Sequence, residues 1–367
     1  MGTTKDDTGV LEPVPALRDV RPYRVPRTSV PVRLALDGNE GLRPPAALLD
    51  RLPGVGEVAL RRYPSARELE ERIAARMGVD PAQVLVTAGA DDALDRAMRA
   101  SLCPGRELVL PSPSFEMIER YARLAGADVV RVPWSADPWP LDGLLRALTA
   151  RTGCIAIVSP NNPTGLEASL DDLRRVADAA PRAVIVVDQA YAEFGDVDFA
   201  ASVRATPNAV LVRSLSKAFG LAGLRVGYAV GAARVIGWLR AAGQPYAVSG
   251  PSLAIAAARF ELPVGDVTDF VARVRSERER LEVIACDLGF TALPSKANFV
   301  LVRSPDAARI WERLAALGIA VRAFPGKIGL ENALRITCPG DETAFQELVA
   351  GLRAAVGPDG GIAGGAR

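Results

Sequence analysis

From residue 84 onward, short β-branched runs alternate with stretches of helical period: VLVTAG (84–89), ELVLPSP (107–113), CIAIVSP (154–160), AVIVVDQAY (183–191) and AVLVRSLS (209–216). Such runs suit strands buried on both faces, as in a mostly parallel sheet. Between them, DDALDRAMRASL puts Leu94, Ala97, Met98 and Leu102 on one helical face, and SLDDLRRVADAA does the same with Leu170, Leu173, Val176 and Ala177. Helices covering such a sheet give an α/β layered architecture. After about residue 260 the texture changes. A long charged amphipathic helix around DVTDFVARVRSERERLEVIACDLG precedes strand, helix, strand and a last helix ending near Ala355, which describes a smaller α+β domain. The expected division is a large domain over 38–258 and a small domain from 16–37 and 259–356, the first of these pieces being an N-terminal arm. Residues 1–15 and 357–367, rich in Gly, Pro and polar residues, are expected to be disordered tails.

Composition excludes several function classes. A formal charge of +1 with no basic cluster speaks against nucleic acid or an anionic membrane surface as partner, and favours a small-molecule ligand. No apolar run approaches the roughly 20 residues that span a bilayer, and the first ten residues lack a basic and an apolar signal region, so a cytoplasmic location is expected. Cys103, Cys154, Cys286 and Cys338 are scattered singly, without the close pairs of a zinc or redox site. The chain has no histidine, which removes Ser-His-Asp triads, Cys-His pairs and His-ligated metals together. Among 44 basic residues only Lys5, Lys217, Lys296 and Lys327 are lysines. A lysine inside a structured motif therefore invites a chemical explanation, because a desolvated lysine amine can lose its proton and attack a carbonyl, whereas arginine stays protonated.

In open α/β sheets ligands bind outside the carboxyl edge of the strands, and there the polar residues gather. One run ends in Asp188 and leads to Tyr191; another leads to Ser159, Pro160, Asn161, Asn162 and Pro163; a third to Ser214, Ser216 and Lys217. The run ending at Thr87 opens through Gly89 and Ala90 into a helix expected to be capped by Asp91, whose free N–H groups would face an anion. Taken singly, each piece has a bland reading: Asp188 as a helix cap, SPNNPTG as a turn, Lys217 as a surface lysine. GLAGLRVG (220–227) lacks the spacing of a dinucleotide fingerprint.

In conjunction the motifs resemble those of fold-type-I pyridoxal-phosphate (PLP) aminotransferases, in particular the histidinol-phosphate aminotransferase-like branch. The matching stretches are RRYPSARELEERIA, VLVTAGADDALDRAM, PSPSFEM, SPNNPTG, VVDQAYAEF, RSLSKAFGLAGLRVGY, SKANFVLVR and LRIT, in the family's order, over about residues 20–355. The resemblance implies a large domain with a mostly parallel seven-stranded sheet flanked by helices, plus the smaller α+β domain.

It also implies roles. Lys217 would carry PLP as a Schiff base and then serve as general base and acid at the substrate α-carbon. Asp188 would pair with the pyridine nitrogen, and Asn161 and Tyr191 with the phenolic oxygen. Phe115 would stack on the ring. The phosphate would be held by backbone N–H groups at Ala90 and Asp91, by Ser214 and Ser216, and by Arg225. Tyr63, in the RYP motif, would reach the phosphate of a neighbouring subunit, so a homodimer with shared active sites is implied. On the substrate side, Arg335 would grip the α-carboxylate and Arg322 a distal phosphate. Tyr23 in the N-terminal arm and Asn39 complete this set. Without the resemblance, Arg335 reads as an exposed strand arginine, and Arg322 reads equally as a surface arginine.

The departures fall near the substrate. LDGNEGLRPP keeps Asn39 and Glu40 with altered flanks, YPSA replaces a YPDP-like run, and FPGKIGLENAL adds a loop carrying Lys327. The expected reaction is transamination between an amino acid or amino-alcohol phosphate and a 2-oxo acid, with 2-oxoglutarate and glutamate as the common pair and histidinol phosphate as the foremost partner. The alternatives are a threonine-phosphate decarboxylase-like PLP enzyme and an aminotransferase of aromatic amino acids or of a specialised pathway. From another class, a nicotinamide-dependent oxidoreductase or a nucleotide-binding regulator stays open.

Overall fold

The computed structural model describes residues 13–357 apart from 19, 21, 24 and 42; most of the expected tails, 1–12 and 358–367, lies outside the described residues. The strands in chain order are β1 (Leu34–Leu36), β2 (Val84–Thr87), β3 (Glu107–Ser112), β4 (Asp128–Pro133), β5 (Thr152–Val158), β6 (Val184–Asp188), β7 (Ala209–Ser214), β8 (Gly227–Gly231), β9 (Thr291–Ala292), β10 (Phe299–Arg303), β11 (Ile319–Ala323) and β12 (Ala333–Thr337). Seven of them form one sheet in the order β2-β8-β7-β6-β5-β3-β4. Its pairs are parallel except those of β8, which runs antiparallel to both β2 and β7.

The central strands are buried on both faces, and the two-residue period of a strand divides their side chains between two cores. Ile155, Ile157, Ile185, Val187 and Leu211 join the larger core, which extends into the second sheet. Cys154, Ala156, Val184, Val186, Val210 and Val212 face the other core, with Leu94, Ala97, Met98 and Leu102 packed on them. Those four residues cover the sheet as their spacing requires. Helix Leu170–Ala179 buries Leu173 and Val176, but Leu170 is 46% exposed, a departure from the expected face. Leu170 is the first residue after the Ser169 cap, whose hydroxyl accepts the Asp172 N–H while the Asp172 carboxylate accepts the Ser169 N–H. Capping fixes this end, and position one of the helix turns outward.

The second sheet has five strands in the order β1-β11-β12-β10-β9. β1 comes from the N-terminal segment and pairs parallel with β11, while the remaining pairs are antiparallel. Helix Gly265–Asp287 lies where the long charged amphipathic pattern stood. The strand, helix, strand expectation counted two strands where the structure has four: it missed the two-residue β9, too short to leave a periodic signal, and it did not separate β11 from β12, an antiparallel pair joined by a loop.

Candidate functional site

Register brings the polar strand ends together. Val158, Asp188 and Val212 are successive partners across β5, β6 and β7, and Ser214, Gly227 and Thr87 are partners across β7, β8 and β2. The residues just beyond these strands therefore share the carboxyl edge of the large sheet, as expected for an open α/β layer.

One end of the site is a cradle for an anion. Helix Gly89–Ser101 begins at Gly89, so the N–H groups of Ala90 and Asp91 belong to its first turn, where intrahelical partners are lacking. This corrects the expectation that Asp91 is the cap: Ala88 stands at the cap position, Asp92, not Asp91, accepts the Ala88 N–H at 2.9 Å, and Asp91 is the third residue of the helix, its carboxylate on Arg225 at 3.2 Å. Arg225 also points at the Ser216 hydroxyl, 3.5 Å away, and the Ser214 hydroxyl accepts the Ser216 N–H at 3.1 Å. Two glycines make room. A Cβ at Gly227 would lie 2.5 Å from the Gly89 carbonyl carbon and 2.6 Å from the Ala90 nitrogen, and Gly89 itself has φ +77° with Arg225 against it.

Next to the cradle stand a carboxylate and an amine. Asp188 is 4% exposed and accepts the Ala190 N–H at 3.0 Å. Burial pushes its carboxyl up to about 7, the behaviour of an acid that lacks a close positive partner. Lys217 donates to the Gly38 carbonyl at 3.0 Å, and its ammonium lies 5.7 Å from the centre of the Tyr191 ring. Burial, aided by the charge of Arg335, brings its amine down to about 8. The 38–41 segment lies on Lys217 closely enough that a Cβ at Gly41 would fall 1.4 Å from the Lys217 carbonyl oxygen.

Tyr191 is buried, and its hydroxyl accepts from Asn39 at 3.0 Å and Asn162 at 3.5 Å, which leaves its own O–H free to donate. Burial raises its pKa and keeps that proton in place. The structure corrects the assignment within SPNNPTG. The Asn161 amide donates to the Pro113 carbonyl at 2.9 Å and the Thr164 hydroxyl at 2.7 Å, and its oxygen accepts from Ser114 at 2.7 Å. Asn161 thus braces the loop with its whole amide, and Asn162 is the one beside Tyr191. Asn39 likewise sits behind Tyr191, with its oxygen on the Thr337 hydroxyl at 2.8 Å, and is 1% exposed; it orients Tyr191 more directly than it could meet a ligand.

Arg335 and Arg322 are cross-strand partners on β12 and β11, and each is 7% exposed. The reading of Arg335 as an exposed strand arginine fails because its side chain is covered by Asn162 of the loop after β5, by the segment after β1 at Asp37 and by the Phe299 ring, 5.3 Å away. Arg335 donates to the Asn162 side-chain oxygen at 2.7 Å and to the Asp37 carbonyl at 2.6 Å, and its Nε has no partner among the described residues. Its partners are neutral, and burial lowers its pKa. Arg322 contacts Glu116 at 3.3 Å and lies 5.5 Å from the Tyr23 ring and 5.8 Å from the Phe324 ring. Lys327 pairs with the other oxygen of Glu116. Tyr23 is thereby tied to the site through Arg322. Phe115 ends the loop before helix Glu116–Leu124 and is half-buried against the helix-side core. Tyr63 behaves differently: its ring is 83% exposed and stacks on Tyr246 at 4.8 Å between centroids.

Asn162, Glu116 and the Gly38 and Asp37 carbonyls escaped sequence reasoning. Asn162 stands in the quoted motif, yet two adjacent asparagines look alike until the loop closes; Glu116 had no signal beyond its place after Phe115. The donor set fits a phosphorylated aldehyde: an amine of lowered pKa, a buried carboxylate wanting a proton donor, and a helix N-terminus with two hydroxyls and an arginine. Among the described residues no cluster of His, Cys, Asp and Glu could hold a metal ion, all four cysteines are free, and no helix is long and apolar enough to cross a membrane.

Residues 54–352 match the family described as aminotransferase class I and II. The chain is 33% identical over 332 residues to the histidinol-phosphate aminotransferase of Thermoanaerobacter pseudethanolicus, covering 89% of this chain and 93% of that one. It is 35% identical over 329 residues to the aromatic amino acid aminotransferase of Corynebacterium efficiens, covering 86% and 94%. In three dimensions it is similar to the histidinol-phosphate aminotransferase of Sinorhizobium meliloti in complex with pyridoxal-5'-phosphate, with TM-score 0.82, 24% identity, and 89% and 91% of the two chains covered.

Proposed function

The chain belongs to the class I and II aminotransferase family and is a pyridoxal-phosphate-dependent aminotransferase; from that premise we propose that Lys217 carries the cofactor and moves the proton at the substrate α-carbon during transfer of an amino group to a 2-oxo acid. The observation that carries the reading is that adjacent carbonyls hold both cations, Gly38 the Lys217 amine at 3.0 Å and Asp37 the buried Arg335 at 2.6 Å, and that the hydrogen-bond partners of Arg335 are both neutral oxygens. A buried guanidinium without an anion is unfavourable, and a substrate α-carboxylate supplies the anion while putting the α-carbon near the lysine.

Bound here, pyridoxal phosphate supplies an electrophilic aldehyde carbon and a conjugated ring that draws electron density from the α-carbon. The Asp188 carboxylate holds a proton on the ring nitrogen. Tyr191 donates to the phenolic oxygen, with Asn162 beside it and Asn39 and Thr337 fixing its orientation. Phe115 would stack on the ring. The Ala90 and Asp91 N–H groups, the Ser214 and Ser216 hydroxyls and Arg225 hold the phosphate, with Arg225 exchanging Asp91 for it. Lys217 in its neutral form would accept the α-proton at its Nζ and hold it for return to the substrate–cofactor adduct.

We take residues 38–258 as the cofactor-holding unit and 16–37 with 259–356 as the substrate-side unit. Tyr63, with Leu60 (74% exposed), Tyr246 (59%), Pro64 and Pro245, lines a surface suited to a second copy of the chain, through which Tyr63 would reach the partner's phosphate site. The amino donor is an amino acid or amino-alcohol phosphate such as histidinol phosphate, and glutamate with 2-oxoglutarate forms the common pair. The rings of Tyr23 and Phe324 flanking Arg322 favour a second reading in which the donor is an aromatic amino acid. A half-reaction screen decides: the bound cofactor's absorbance is followed as glutamate, histidinol phosphate and aromatic amines are added singly. The fastest converter names the donor class, and carbon dioxide release in place of a 2-oxo acid would point to decarboxylation instead.

A further inference from the structure

An aminotransferase passes two different substrates through one pocket, so whatever binds the distal group of one must tolerate the other. Here the distal wall holds a fixed cation and two movable charges. Arg322 is fixed: it stands on β11, is 7% exposed, and lies against the Tyr23 and Phe324 rings. Its Nη1 is buried with no partner among the described residues, while the other terminal nitrogen meets Glu116 at 3.3 Å. Glu116, one-third exposed, starts helix Glu116–Leu124 and pairs through its second oxygen with Lys327. Lys327 is half exposed and rides on the surface loop between β11 and β12, beside Ile328, which is 92% exposed. Two cations and one anion leave room for one further negative charge. Were Glu116 absent, Arg322 would sit buried beside its cross-strand neighbour Arg335 with no carboxylate on either, an arrangement that disfavours any uncharged ligand.

We propose that Glu116 is a built-in counterion for Arg322 that a substrate's distal carboxylate replaces, so that one pocket takes a diacid in one half-reaction and an uncharged, ring-bearing side chain in the other. This rests on the transamination proposed above and adds the residue that sets its selectivity. With a diacid bound, Arg322 and Lys327 close on the incoming carboxylate and Glu116 swings toward solvent. With an aromatic side chain bound, Glu116 stays on Arg322 and the rings of Tyr23 and Phe324 supply the contact.

The test uses two amine-free ligands that share one carboxylate for Arg335 and differ at the far end: glutarate and 3-phenylpropionate. Their dissociation constants are measured by titrating the holoenzyme and its Glu116→Gln form. The variant should bind glutarate about tenfold more tightly than the parent, and 3-phenylpropionate no better or more weakly. A parallel change in both constants, no change in either, or no glutarate binding to either form would overturn the proposal. Lys327→Ala provides an independent arm, in which glutarate weakens severalfold and 3-phenylpropionate does not; equal effects on both ligands again overturn it. These constants are read without turnover, so an enzyme that transfers no amino group would contradict the proposed activity while the selectivity ratio is still measured.

Discussion

Arg322 and Arg335 face each other across adjacent antiparallel strands, both buried, yet one is met by a carboxylate and the other only by neutral oxygens. Like charges directly opposite on a sheet are unfavourable, so the pair makes sense as a receptor for anions, with Arg335 taking the substrate carboxylate. Arg335→Lys should therefore raise KM for every substrate bearing an α-carboxylate and lower kcat/KM by about a hundredfold, near the ~3 kcal/mol of a charge-assisted pair. Steady-state kinetics with glutamate checks this; an unchanged kcat/KM would remove Arg335 from substrate binding.

The lowered Lys217 amine sets a pH dependence. Only the neutral amine attacks an aldehyde, and with a pKa of about 8 in place of 10.5 its fraction is one half near pH 8 and levels about one unit above that. Uptake of the cofactor by protein stripped of it should follow that curve in stopped-flow absorbance; a rate still climbing above pH 9 would indicate an ordinary lysine. Asp188 works in the opposite sense. Its folded-state value of about 7 lies above the ordinary 3.8, so the folded state holds the extra proton between those limits. Stability of the stripped protein from this group is full below about pH 4 and is lost as pH rises through 7, a change of a few kcal/mol at about 1.4 kcal/mol per unit. Denaturant titrations at pH 5 and pH 8 should show a smaller difference in Asp188→Asn than in the parent.

Gly227 is a test of the cradle. Its missing Cβ leaves space for the Gly89–Ala90 peptide, 2.5 Å and 2.6 Å from where that atom would be. Gly227→Ala should push the helix N-terminus out of line, destabilise the chain by about 1–3 kcal/mol, and weaken cofactor affinity at least tenfold. Thermal melts with and without cofactor measure both; tight binding in the variant would mean that these N–H groups do not hold the phosphate.

How much of this was legible in the sequence depended on whether neighbours in the chain or neighbours in space decide the matter. Lys217, Asp188, Ser214, Ser216 and the SPNNPTG loop could be found because parallel strands deliver the residues at their carboxyl ends to a common edge. The choice between Asn161 and Asn162 could not, because it turns on which amide the Pro113 carbonyl and the Ser114 and Thr164 hydroxyls capture. Arg335 looked exposed because a strand pattern records which face is apolar, and not that loops from another sheet cover the polar one. Glu116 was silent for the same reason: Arg322 and Lys327 lie more than 200 positions away. Asp91 was misplaced by three positions because the helix starts at Gly89, with its positive φ, earlier than a cap motif implies.

The surface of exposed Leu60, Tyr63 and Tyr246 predicts association. Sedimentation should give about twice the 38.7 kDa chain mass. Leu60→Asp should yield monomers with weakened cofactor binding, and Tyr63→Phe should keep the dimer while loosening the cofactor. A parent protein that sediments as a monomer with full activity would refute the shared site.

The most direct measurement is to reduce the holoenzyme with borohydride, digest it, and locate the cofactor-modified peptide by mass spectrometry. The expected result is one modified lysine, Lys217, within RSLSKAFGLAGLR, and no labelling in Lys217→Ala. Modification of Lys296 or Lys327 instead, or a Lys217→Ala protein that still turns over normally, would contradict the assignment.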